Sequence, residues 1–169
     1  MDFRAADHFA ADPDAVLAAY ADTSLPRALG ALAPLSAGEL VDHSHEGGTV
    51  ELRVRYAYRG DLPPGASAIV DPTRLTWVQV TRLDLAARRA SVVLEPDNYA
   101  DRLRARATQV FVAAPGGGTD RTTDGSVSVK LLMAGRAVER ALVSGLQAWL
   151  TNEAVAVDRW LADGSPRPG

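Results

Sequence analysis

The sequence predicts an α+β fold: a seven-stranded antiparallel sheet wrapped around a long C-terminal helix, with two short helices between the first and second strands. Three observations predict it. Segments between Leu40 and Leu131 alternate apolar and polar side chains with period two, and turn residues part them. The apolar period then lengthens to steps of three and four from Arg136 to Ala162. The polar side of the strands carries arginines, so only the other side needs a cover, and the last helix is the one element long and apolar enough to provide it.

Asp2 to Ala10 reads as the first strand. Asp12-Pro13-Asp14 opens a helix: Asp12 caps free N–H groups, Pro13 suits the first helical position, and Val16, Leu17 and Tyr20 form its apolar side. Ser24 is a second N-cap candidate, Leu25, Leu29 and Leu32 follow at helical spacing, and Pro34 ends the segment. Leu40 to His45 leads into Gly47-Gly48, a hairpin signal. In Thr49 to Arg59, Val50, Leu52, Val54, Tyr56 and Tyr58 alternate with Glu51, Arg53, Arg55, Ala57 and Arg59. Gly60 to Pro72, with Pro63-Pro64-Gly65, is a loop. Arg74 to Leu83 and Arg89 to Glu95 form a hairpin that turns near Ala86-Ala87. Arg102 to Ala113 sets Leu103, Ala105, Ala107, Gln109 and Phe111 against Arg102, Arg104, Arg106 and Thr108. After a turn at Pro115 to Gly118, Arg121 to Leu131 is the last strand, with Val127, Val129 and Leu131 inward.

The helix from Arg136 to Ala162 carries one stripe: Val138, Leu142, Gly145, Leu146, Trp149, Leu150, Val157, Trp160 and Leu161. At 1.5 Å per residue it spans about 40 Å, enough to cross a sheet. Asp163-Gly164 stops it. Residues 1–163 form a single domain on this reading, and 164–169 a flexible tail.

The composition narrows the functional classes. The chain has 169 residues, 47% hydrophobic and 23% charged, within the range of globular domains that bury a core unaided. With no cysteine, thiol catalysis, disulfides and zinc–thiolate sites are excluded, and a reducing, cytoplasmic setting fits. A net charge of −3 lacks the basic footprint of a nucleic-acid binder. No segment has the length of a membrane span, and Met1 to Ala10 has no signal-peptide pattern.

Four stretches are similar to a bacterial family of unknown function. They are the opening MDFRAADHFAADPDAVLAAYAD, the strand bearing Trp77, the segment KLLMAGRAVE from Lys130 to Glu139, and Glu153 to Leu161. The order of elements over nearly the whole chain resembles the helix-grip fold of the START-like (SRPBCC) superfamily, to which that family belongs and which includes the birch-pollen-allergen type. None of the four stretches is a catalytic signature. The resemblance implies a groove between helix and sheet, which in the superfamily commonly holds a lipid, polyketide, hormone or other apolar molecule. A shared fold does not give a shared function.

The residues expected in that groove are Tyr56, Tyr58, Trp77, Gln79, Gln109, Phe111, Leu142, Gly145, Leu146 and Trp149. Trp77 and Gln79 face inward if the following turn sets Leu83 opposite Ala90 and Gln79 opposite Leu94. An apolar wall with a few polar points suits a small molecule, and the same side chains also suit a filled core. Gly145 is the sharpest anomaly, because a mid-helix glycine costs about 1 kcal/mol relative to alanine. Either the backbone approaches the sheet closely there, or the missing side chain leaves ligand space.

His43 and His45 share a strand face, with Glu39 on the same alternation. A two-residue Gly47-Gly48 turn puts the histidines opposite Leu52 and Val50 on the groove side. A three-residue bulged turn points them to solvent. They are candidates for metal binding or acid–base work, set against an edge-strand surface pair. His8 stands alone on the first strand. Arg102, Arg104 and Arg106, like Arg53, Arg55 and Arg59, read as a solvated outer face. Gly116-Gly117-Gly118 lacks the lysine and hydroxyl residue of a phosphate loop.

Two functions follow. The first is binding of an apolar small molecule without cofactor or metal. The second is an aromatase/cyclase-type enzyme using the same groove on a polyketide-like substrate, with a filled interaction module as the bland alternative. Catalysis needs ionisable groups converging inside the groove. The sequence offers only His43, His45 and Glu39 for that, which ranks binding first.

Overall fold

Seven antiparallel strands form one sheet, in the order β1-β7-β6-β5-β4-β3-β2. The computed structural model describes residues 1–62, 70–131 and 135–164; the Pro63-Pro64-Gly65 turn, residues 132–134 of the Lys130 segment and the Ser165 to Gly169 tail lie outside them. The strands are β1 (Asp2–Phe9), β2 (Glu39–Glu46), β3 (Thr49–Ala57), β4 (Thr76–Asp84), β5 (Arg89–Pro96), β6 (Leu103–Ala113) and β7 (Thr119–Val129). The helices are α1 (Pro13–Ala21), α2 (Leu25–Ala28) and α3 (Gly135–Ala162).

Local chemistry explains most boundaries. Asp12 accepts bonds from the N–H groups of Asp14 and Ala15, both at 3.0 Å, and so starts α1. Gly47 (φ +57°) and Gly48 (φ +82°) take the two positive-φ positions of a tight hairpin, pairing Glu46 with Thr49. Ser24 does not cap α2. The carboxylate of Asp22 takes the Ser24 N–H and hydroxyl instead, at 2.7 and 2.6 Å. Helix α2 runs for only four residues and gives way to Gly30 (φ +65°), a left-handed residue just past its C-terminus, so Leu29 and Leu32 follow it rather than extend it. They still pack on the core.

The cover is shared, which departs from the single-helix roof expected. Helix α3 packs on β1 and β7, at one end of the sheet. Helix α1 touches α3 and reaches β3, β4 and β6. Val16, Leu17, Ala19 and Leu25 are buried with Val138, Leu142, Trp149, Leu150 and Val157 of α3. Polar clamps hold α3 to β1: Gln147 donates to the Arg4 carbonyl at 3.0 Å, and both Asp158 oxygens accept the Ala10 N–H at 3.0 Å. On the outer face Arg53 pairs with Glu95, Arg55 with Asp97 at 3.2 Å, and Arg82 with Glu51 at 2.6 Å. Arg104 and Arg106 are exposed there.

Among the described residues, the solvated-arginine rule fails at one position. Arg121 lies beneath α3 and is 0% exposed. It shares the inward alternation of Thr119, Thr123 and Val127 on β7.

Replacing Leu142, which is buried where α3 meets the core, by alanine is expected to cost about 2–5 kcal/mol, because neighbouring side chains collapse only partly into the space left. Urea unfolding of the two proteins measures it; equal midpoints would contradict the packing of α3.

Candidate functional site

Beneath the helices lies a partly open cavity of about 90 Å³. Its walls come from every layer: Tyr20 of α1, Leu25 and Pro26 of α2, Val54 and Tyr56 of β3, Gln79 of β4, Gln109 of β6, and Leu146, Trp149 and Glu153 of α3. A smaller lobe of about 20 Å³ shares Leu94, Ala105, Val127 and Leu146 with it and adds Pro34, Tyr58, Trp77, Leu103 and Leu142. The cavity is smaller than the roughly 150 Å³ apolar cavity that admits benzene, and far below the roughly 300–1,000 Å³ of drug-sized pockets. A large ligand therefore requires the walls to part.

The residues expected in the groove divide between these spaces. Tyr56, Gln79, Gln109, Leu146 and Trp149 line the larger cavity; Tyr58, Trp77 and Leu142 line the smaller lobe with Leu146. Phe111 lies among the lining of neither. It is buried against Tyr20, with ring centroids 5.7 Å apart. Tyr56 and Trp149 meet edge-on at 5.9 Å. The register sets Leu83 opposite Ala90 and Gln79 opposite Leu94, which turns Trp77 inward. The Trp77 indole N–H is buried and has no partner among the described residues. At Gly145 a Cβ would stand 2.9 Å from Pro34 Cγ and 3.8 Å from Tyr58. The close contact at this glycine is with the Pro34 segment, and Pro34 and Tyr58 both line the smaller lobe.

The histidines separate from any site. His43 and His45 pair with Leu52 and Val50, so they take the groove-side alternation, yet both are exposed, because β2 is the sheet edge farthest from α3. A bulge between Leu40 and Asp42 reverses the alternation, so Glu39 pairs with Arg55 and leaves their face. Among the described residues, no three His, Asp or Glu side chains gather as a metal site. His8 is exposed and lies 2.8 Å from Asp120.

The ionisable groups that do converge are ones the sequence reading passed over. Arg121 directs Nε and Nη2 at Asp7 Oδ2 (3.3 and 2.9 Å) and Nη2 also at the Leu150 carbonyl (2.9 Å). Its Nη1 donates to Glu153 Oε2 and to the Tyr20 hydroxyl, both at 2.6 Å. The Tyr20 hydroxyl donates in turn to Glu153 Oε2 at 2.8 Å. The guanidinium also lies 5.2 Å from the Phe9 ring centre. Burial works against the Arg121 charge, but Tyr20, Glu153 and Asp7 outweigh it and hold the proton above its usual range. Burial pushes the Tyr20 hydroxyl well up, helped by Glu153 and opposed by Arg121. Burial, then Glu153, raises Tyr56 likewise. The signal was available: Arg121 has the parity of Val127, Asp7 that of Phe9, and Glu153 follows Trp149 by one helical turn.

This sheet gripping a long C-terminal helix, with a cavity between them, is the helix-grip fold. Residues 5–161 match the family described as protein of unknown function DUF2505, and the chain belongs to that family. Solved structures with the same fold include TTHA0849 from Thermus thermophilus, at 18% identity and TM-score 0.66 over 98% of this chain and 100% of that one. The Zhui aromatase/cyclase from Streptomyces sp. R1128 matches at 14% identity and TM-score 0.65, over 98% and 99%. Norcoclaurine synthase from Thalictrum flavum matches at 18% and 0.60, over 96% and 87%. No curated protein matches by sequence.

Two outcomes follow from the buried cluster. Arg121→Leu leaves Asp7 and Glu153 without their counter-charge and is expected to cost about 3–5 kcal/mol by urea unfolding, much of it recovered when both carboxylates are also replaced by their amides. Tyr20 and Tyr56 stay neutral in the fold, whereas in the unfolded chain they ionise near the ordinary value of 10.0. Their contribution to stability is complete below about pH 10 and is lost as pH rises beyond it. Unfolding midpoints from pH 8 to 11 should stay level and then fall, with a shallower fall in Tyr20→Phe.

Proposed function

We propose that the protein binds an apolar small molecule, lipid-like or polyketide-like, in the groove between α3 and the sheet. The observation that carries this reading is the cavity beneath the helices, apolar along most of its wall and edged by Gln79, Gln109, Tyr20 and Glu153. Burial of apolar area supplies affinity, and the few polar atoms supply orientation. The unpaired Trp77 N–H adds a donor beside the smaller lobe. The bound state is wider than the cavity seen here, since a ligand of several rings exceeds its volume. A cysteine-free chain suits a reducing compartment, and we place this activity in the cytoplasm. No helix among the described residues is long and apolar enough to cross a membrane.

A second reading, an enzyme of the aromatase/cyclase type, draws support from Glu153 and Tyr20 at the cavity wall, the ionisable pair a catalyst needs. Binding stands first, because both groups are tied into the Arg121 network rather than free to exchange protons. Two fold relatives bear synthetic activities in their names, at identities that speak for the fold alone.

Native mass spectrometry of protein purified from its own host tests the proposal. One co-purifying apolar compound is expected, lost in Leu146→Trp, which fills the junction of the two lobes, while the melting temperature holds. Wild-type protein that carries nothing and takes up no small aromatic probe would refute binding. A compound returned with altered mass after incubation would move the assignment to the enzyme.

A further inference from the structure

The hydrogen-bonding capacity that the Arg121 cluster leaves open toward the cavity is an acceptor. A guanidinium has five N–H groups. The bonds of Arg121 use them all: one from Nε to Asp7, two from Nη1 to Tyr20 and Glu153, two from Nη2 to Asp7 and the Leu150 carbonyl. Arg121 is also absent from the cavity wall, where Glu153 and Tyr20 stand in front of it. The Tyr20 hydroxyl hydrogen is committed to Glu153. Glu153 is 6% exposed and lines the cavity, and its Oε2 takes both bonds, while Oε1 has no partner among the described residues. Two carboxylates, Asp7 and Glu153, face one guanidinium, so the cluster retains a negative charge. Arg106 borders the cavity too, but its side chain alternates to the exposed outer face.

We infer that the cavity selects ligands whose apolar body carries a hydrogen-bond donor, a phenol, alcohol or amine, seated on Glu153 Oε1, and that it disfavours a carboxylate at that position. The inference rests on the ligand-binding reading and names the ligand class. A buried arginine under a groove suggests an anion site at first sight. Here the arginine is saturated, and an incoming carboxylate meets Glu153 without a free donor from the cluster to receive it. A carboxylate oxygen on an apolar wall gains a charge-assisted hydrogen bond from a donor and nothing comparable from a methyl group of the same shape.

Single-ring probes are the smallest bodies that carry the relevant head groups, so they require the walls to part least. Toluene, p-cresol, 4-methylanisole and 4-methylbenzoate share one apolar body and differ in the head group. Their affinities for the wild-type protein are measured by NMR titration at pH 7. Expected is p-cresol binding about tenfold or more tighter than 4-methylanisole, the worth of a hydrogen bond to a charged acceptor, with 4-methylbenzoate the weakest. Toluene and p-cresol binding alike to 4-methylanisole, or 4-methylbenzoate binding best, would overturn the inference and leave the groove reading intact. Binding of none of the four would overturn the inference, and together with wild-type protein that carries no co-purifying compound it would overturn the groove reading as well. Glu153→Gln, confirmed folded by circular dichroism, is expected to narrow the p-cresol preference to within about threefold. An unchanged preference in that variant would count against Glu153, and the wild-type series decides the matter if the variant does not fold.

Discussion

One guanidinium under the long helix sets the relation between the layers. Arg121 rises from β7 and is held by Asp7 of β1, Tyr20 of α1, and Glu153 and the Leu150 carbonyl of α3. Taking a charge out of water is expensive, and that expense is met only when all these partners are in place. Rotation of α3 about its axis by one residue would withdraw Glu153 and the carbonyl together. The helix therefore has one rotational setting, and it is the setting that turns Trp149 and Leu146 into the cavity. Apolar packing alone tolerates sliding, whereas a saturated planar donor does not.

The same network shapes what the groove offers a ligand. It converts an arginine, a glutamate and a tyrosine into a wall whose remaining capacity is one carboxylate oxygen. It also restrains the two groups that would otherwise move protons. The rest of the wall is aliphatic and aromatic, with amide side chains at Gln79 and Gln109 that lie 3.3 and 3.4 Å from Thr81 and Thr123.

The architecture is legible in the sequence because period two and period 3.6 are written in long, unambiguous runs. Thr49 to Arg59 and the α3 stripe declare their buried sides directly, and the Gly47-Gly48 pair declares its hairpin. Local hydrogen bonding decides what those periods do not carry. Ser24 resembles a cap, but Asp22, two residues earlier, captures it. The bulge near Val41, invisible to a strict alternation, separates Glu39 from His43. The buried cluster is hidden for a different reason. Charged residues are usually solvated, so an arginine near the start of a strand reads as surface even where its parity places it inside. Parity is the better guide at Arg121, because three partner side chains from distant parts of the chain make its burial tolerable. That tertiary fact has no local signature.

The five-donor saturation of Arg121 constrains how such a sequence can diverge. Lysine offers three donors from a single point and cannot span Asp7, Glu153 and a carbonyl at once. Drift at this position by the usual basic exchange is therefore closed. Relatives that lack the arginine must have replaced positions 7 and 153 in concert, with apolar or amide residues filling the volume. Substitution patterns at those three sites should move as a block, independent of the turnover of outer-face arginines around them.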